Sequence, residues 1–143
     1  VEGFMNESIR VLYYPMLTMF LWTFAVMIRN VQVRVHSVLK GELSNAYFEL
    51  FESGNPSDTI IKTSNHLKNL FEFPVLFYAV MLLAMFRETT SDPLIVMAWA
   101  YVGLRIGHSL VHLTFNKVPA RFLFFISSNI VLLALWVYVG ISA

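Results

Sequence analysis

Four apolar segments, each close to the roughly 20 residues that a helix needs to cross a bilayer, fix most of what this chain can become. They run from Val11 to about Ile28, from about Leu67 to Phe86, from Pro93 to about Leu113 and from about Val118 to Ile141. In hydrocarbon a backbone N–H or C=O has no water to bond to, so runs of this length fold as α-helices that satisfy themselves. With 143 residues, 57% of them hydrophobic and only 13% charged, the chain is too apolar for a soluble domain of its size. The sequence therefore predicts an all-α integral membrane four-helix bundle, a single domain over residues 1–143.

The connections agree with that count. Arg29 to Asn65 is the only long polar link, and Ser53-Gly54-Asn55-Pro56 is its clearest turn. Arg87 to Asp92 is short, with Asp92 expected as an N-cap and Pro93 at the first helical position. Asn116-Lys117-Val118-Pro119 makes the last turn. Short links place successive helices antiparallel. The first apolar run has no small-residue cleavage site before the charged segment, so it reads as a retained helix and not as a signal peptide.

Lysines and arginines near helix ends favour the cytoplasmic side of a membrane. Arg29, Arg34, Lys40, Lys62 and Lys68 lie in or beside the first link, Lys117 and Arg121 flank the third, and the second offers only Arg87. Both termini are therefore expected outside the cytoplasm, with Arg10 as a counter-signal. A short chain without a retention signal suggests a bacterial inner membrane. The formal charge of +1 argues against a nucleic-acid partner, whose binding would require a basic excess. Zero cysteines exclude disulfides, thiolate metal sites and a cysteine nucleophile, so any thiol chemistry needs a thiol from outside.

Arg105, His108 and His112 interrupt the third apolar segment at spacings of three and four, which stack them on one helical stripe. A charge at bilayer depth costs about 2.5–3.5 kcal/mol by insertion measurements unless something compensates it. An anionic ligand would do so. On the second segment Asn65, Asn69 and Glu72 repeat the pattern at four and three, and the two stripes at equal depth suggest one cavity, with Arg105 the expected partner of Glu72.

Architectural readings stand beside this one. Lys68, Lys117 and Arg121 lie where long cationic side chains reach lipid headgroups. His112 could simply bond a neighbouring helix, and Glu72 with Arg105 could be a structural ion pair. His108 and His112, with His66 for a haem, have the spacing of helical metal ligands, but no third clear ligand accompanies them and Arg105 one turn away would repel a cation. No metal is expected. The 13 phenylalanines and 7 methionines read as lipid-facing and core-filling residues.

The segment from Arg105 through His108, His112, Lys117 and Pro119 to Arg121 resembles the third-to-fourth helix signature of the membrane-associated proteins in eicosanoid and glutathione metabolism (MAPEG), a superfamily that includes the microsomal glutathione transferases. Asn69-Leu-Phe-Glu72-Phe-Pro74 is similar to the family's second-helix Asn-x-x-Glu pattern followed by proline, and Gln32-Val-Arg34 resembles its basic exit from the first helix. The chain departs from the pattern at Asn65, where the family usually carries arginine, at Pro74, two residues early, at His112, often tyrosine, and at Phe122, polar in some members.

The resemblance implies a homotrimer of four-helix subunits that binds glutathione between neighbours near the cytoplasmic face. It assigns Arg34, Asn69, Glu72, Arg105 and Lys117 to glutathione, with His112 in the tyrosine's place and His108 in the same signature, and it gives thiolate support to Arg121. The expected function is that of a glutathione-dependent transferase or peroxidase acting on a lipophilic electrophile that arrives through the bilayer. The alternative is a non-catalytic, lipid-binding or scaffolding member of the same fold.

Overall fold

A computed structural model describes residues 7–50 and 55–142. Within them the chain forms α1 (Glu7–Leu39), α2 (Asn45–Leu50), α3 (Asp58–Phe86), α4 (Asp92–Leu113) and α5 (Val118–Ile141). All but α2 are long and apolar enough to cross a membrane. The expected turn at Ser53-Gly54-Asn55-Pro56 lies partly outside the described residues, since Ser53 and Gly54 are not among them.

The second half of the bundle follows the sequence reading closely, and the first half extends it. The helix expected to end near Ile28 continues eleven residues further, to Leu39, because no glycine or proline interrupts the polar stretch after Ile28. At 33 residues and 1.5 Å per residue, α1 is about 50 Å long, well beyond a hydrocarbon core of about 30 Å. It ends where Gly41 takes a left-handed φ of 70°. There Gly41 N–H donates to the carbonyl of Val38 (2.9 Å) and Glu42 N–H to that of Ser37 (3.0 Å), which is a Schellman closure. Likewise α3 begins nine residues before the expected Leu67, at Asp58. The cap of α4 is Ser91, whose hydroxyl accepts from Leu94 N–H (3.4 Å), so the expected N-cap Asp92 sits one position inside the helix.

The packing divides along the bundle axis. Leu12, Met19 and Val26 of α1 recur every seven residues, as do Leu70, Phe77 and Ala84 of α3, and this repeat keeps one seam facing the neighbours. Leu94, Ala98, Tyr101 and Val102 of α4 and Leu132, Leu135 and Val139 of α5 complete the apolar core. Phe77 and Tyr101 stack at 4.6 Å between ring centroids near its upper limit. Beyond Tyr101 most of the buried residues are polar: Arg105, His108, Ser109 and His112 from α4, and His66 and Thr63 from α3, with Val111 and Ile60 among them. At the opposite end, Arg87 donates to the Val139 carbonyl (2.8 Å), and the Ser91 and Tyr138 hydroxyls share a hydrogen bond (2.8 Å). These bonds tie α3 and α4 to the end of α5.

Helix α4 packs most extensively on α5, and Gly107 sets how closely they meet. A Cβ on Gly107 would lie 2.6 Å from Cε1 of Phe124. Gly107→Ala should therefore destabilise the bundle by about 1–3 kcal/mol, the range for overpacking. Thermal unfolding in detergent checks it. Phe124→Leu in the same chain should restore most of the loss, and an unchanged midpoint in the single variant would mean that the two helices separate without cost.

Candidate functional site

At the polar end, α3, α4 and α5 enclose an open cleft of about 310 Å³. Asn65 and Asn69 of α3, His108 and His112 of α4, and Arg121, Phe122 and Phe125 of α5 line it. Its lining thus combines the amide and imidazole groups of α3 and α4 with the guanidinium and two phenyl rings of α5. A second cleft, of about 260 Å³, shares Asn65, His112 and Arg121 and adds Asp58, Lys62 and Asn116.

Arg121 is fixed from two sides. Its Nη1 donates to Oδ1 of Asn116 (2.9 Å), and its backbone carbonyl lies 3.0 Å from Nδ1 of His108. Asn116 adopts a left-handed φ of 47° in the turn before α5, a conformation that asparagine tolerates better than most residues. The turn therefore both reverses the chain and aims the guanidinium.

Arg105 is wholly buried and does not line the cleft. Its Nη2 donates to the Asn69 side-chain oxygen (2.8 Å) and to the Asn69 carbonyl (3.0 Å). Glu72 is exposed and forms no ion pair with Arg105, so the expected Glu72–Arg105 pair is replaced by an Asn69–Arg105 one. Asn69 and Glu72 are three residues apart, about 60° around the helix. That rotation is enough to turn the carboxylate away. Arg105 keeps Nε and Nη1 without partners, and Tyr101 Oη is similarly unpaired. Such buried, unpaired donors are rare in proteins and mark places where a further polar group belongs.

Behind the cleft, His66 Nε2 and Ser109 Oγ lie 2.7 Å apart. The rings of His66, His108 and His112 form a triangle with centroid separations of 4.9, 5.9 and 6.0 Å. Ser109 and the Arg121 carbonyl already engage two of their nitrogens, and no three metal-binding side chains among the described residues converge on a common point. Ser109 carries no charge to mark it in the sequence, yet it follows His108 directly and its hydroxyl fixes the orientation of His66.

The remaining expected residues lie outside this cleft. Arg34 donates to Ser64 Oγ (3.3 Å) and rests 5.6 Å from the centre of the Phe48 ring. Lys117 is exposed at the N-cap of α5, and Glu72 faces outward from α3.

A MAPEG family profile matches residues 12–141. The chain belongs to the MAPEG family. No curated protein and no solved structure matches it. Membership agrees with the four apolar helices and with an integral, multi-pass membrane protein, and it places the cleft in a family that includes glutathione transferases and related proteins. The residues matched to the MAPEG family include both polar stripes and the turn that carries Arg121.

Proposed function

We propose that this MAPEG protein is a glutathione-dependent membrane transferase or peroxidase that acts on a lipophilic electrophile. The observation that carries this reading is the mixed polar and aromatic lining of the cleft. Arg121, Asn65 and Asn69 offer polar partners to an anionic peptide, and Phe122 and Phe125 offer an apolar surface beside it. Glutathione carries two carboxylates and one ammonium, which suits guanidinium and amide donors on one side and a carboxylate such as Glu72 on the other. When bound, it supplies the thiol that this cysteine-free chain lacks. Arg121, held by Asn116, would favour the thiolate by charge and so activate it for attack.

The proposal extends to assembly. Glu72, Arg34 and Lys117 lie outside the cleft of their own subunit, and an adjoining copy would bring them to a shared one. We therefore expect a homotrimer with the polar end at the cytoplasm, both termini on the other side, and a bacterial inner membrane as its location. Mass measurement of the gently solubilised complex should give three chains. A monomer that still binds glutathione would end the shared-cleft reading.

A second reading is a lipid-binding or scaffolding role, favoured by Phe122 and Phe125, which could hold an acyl chain in the same cleft. Glutathione binding to the purified protein, followed by the ultraviolet absorbance of the thiolate, separates the two. The enzyme binds the tripeptide and ionises its thiol. The scaffold does neither or only binds.

A further inference from the structure

The part of α1 that projects beyond the apolar run lies beside the start of α3, and between them is a cleft of about 530 Å³ that shares no residue with the one lined by Arg121. Arg29, His36 and Ser37 of α1 face it from one side, Ser57 and Thr59 at the start of α3 from the other, and Glu42 from the loop. We propose that this cleft is a separate binding site for a phosphate group, carried either by a membrane lipid or by a soluble phosphate ester.

Two independent observations converge. The first is the N-terminus of the 29-residue α3. Its N-cap, Ser57, makes no side-chain hydrogen bond to the first turn, so the opening N–H groups are left for another acceptor, and the helix dipole favours an anion there. The second is Ser37. It is only 2% exposed, its carbonyl is occupied by Glu42 N–H, and yet its buried Oγ has no partner. A buried hydroxyl without a partner at the wall of a cleft calls for a ligand atom.

Charge chooses the ligand class. Arg29 makes no hydrogen bond among the described residues, and a guanidinium matches phosphate oxygens in pairs. A neighbouring cleft of about 240 Å³ shares Arg29 and Thr59 and brings in Lys62. Glu42 in the lining and Asp58 in the first turn of α3 oppose part of this positive charge, which leaves Arg29 and Lys62 as the groups that favour an anion. The volume exceeds what one phosphate fills, leaving room for the alcohol esterified to it. Basic pockets between helices near a membrane face are suited to phosphate headgroups.

The test uses the full-length protein in detergent and three probes: dioctanoyl phosphatidic acid, glycerol 3-phosphate and inorganic phosphate. Retention is read by native mass spectrometry and affinity by titration. At least one probe should bind, and Arg29→Gln should weaken it tenfold or more, with Ser37→Ala giving a smaller loss. Arg121→Leu should leave it unchanged. Binding of the lipid alone identifies a headgroup as the source, and binding of the soluble ester identifies a metabolite. Because Arg29 is exposed, the glutamine variant should fold, and His36→Gln supplies a second surface variant expected to weaken binding. Failure of all three probes, or binding that is indifferent to both Arg29→Gln and His36→Gln, overturns the proposal. Neither outcome touches the glutathione reading, which rests on other residues.

Discussion

Replacing Arg121 with leucine should lower turnover of glutathione with an aryl halide by about a hundredfold or more, the scale for removing one charge-stabilising donor from a reacting centre. Glutathione affinity should change by less than about tenfold, because the amide and imidazole groups across the cleft remain. The structure sharpens the expectation. Arg121 is held by Asn116 through a single nitrogen, which leaves the rest of the guanidinium for a ligand. Lysine, a point charge without the planar fork, should restore only part of the rate. Full turnover by Arg121→Leu would remove the residue from the chemistry, and binding without thiolate formation in the unmodified protein would favour the scaffold.

Arg105→Met is expected to separate folding from binding. If Arg105 is architecture, its loss should melt the bundle. The geometry argues otherwise, since two of its three guanidinium nitrogens are buried without partners, and its removal relieves the cost of holding a charge at bilayer depth. The unfolding midpoint should therefore hold or rise. Glutathione affinity should nevertheless fall by tenfold or more, because the Asn69 side chain loses the donor that fixes it at the cleft wall. A lower midpoint with unchanged affinity would make Arg105 a structural residue. A companion variant, Asn69→Leu, should lose binding to a similar degree, and combining the two should add little.

The spans were legible because hydrocarbon thickness imposes a length that composition alone reveals. The continuation of α1 was not, because beyond Ile28 the helix enters a polar environment where apolar runs no longer report it. The absence of any breaker before Gly41 was the remaining signal. Asp92 and Ser91 are both good caps, and only the backbone decides between them. At the site, spacing put Asn65, Asn69, His108 and His112 on facing stripes, and they do line one cleft. Spacing could not decide whether Asn69 or Glu72 meets Arg105, since both lie within one broad helical face. The sequence marks Asn116 only as part of a turn, and its hold on Arg121 emerges from the turn's geometry.

The division of the bundle into an apolar end and a polar end has a consequence for how the protein lives in lipid. Acyl chains solvate leucine and phenylalanine as well as another helix does, so the apolar exterior gives a lone subunit little reason to associate. Its open cleft is different. Acyl chains offer nothing to the imidazole, amide and guanidinium groups on its wall, and a subunit alone in a bilayer must draw water or headgroups into that groove. Covering the cleft, whether with ligand or with a second chain, removes a penalty that no apolar contact along the helices could remove. Association and ligand capture are then two answers to the same physical demand, placed at one end of the molecule by the side chains of Asn65, Asn69, His108, His112 and Arg121.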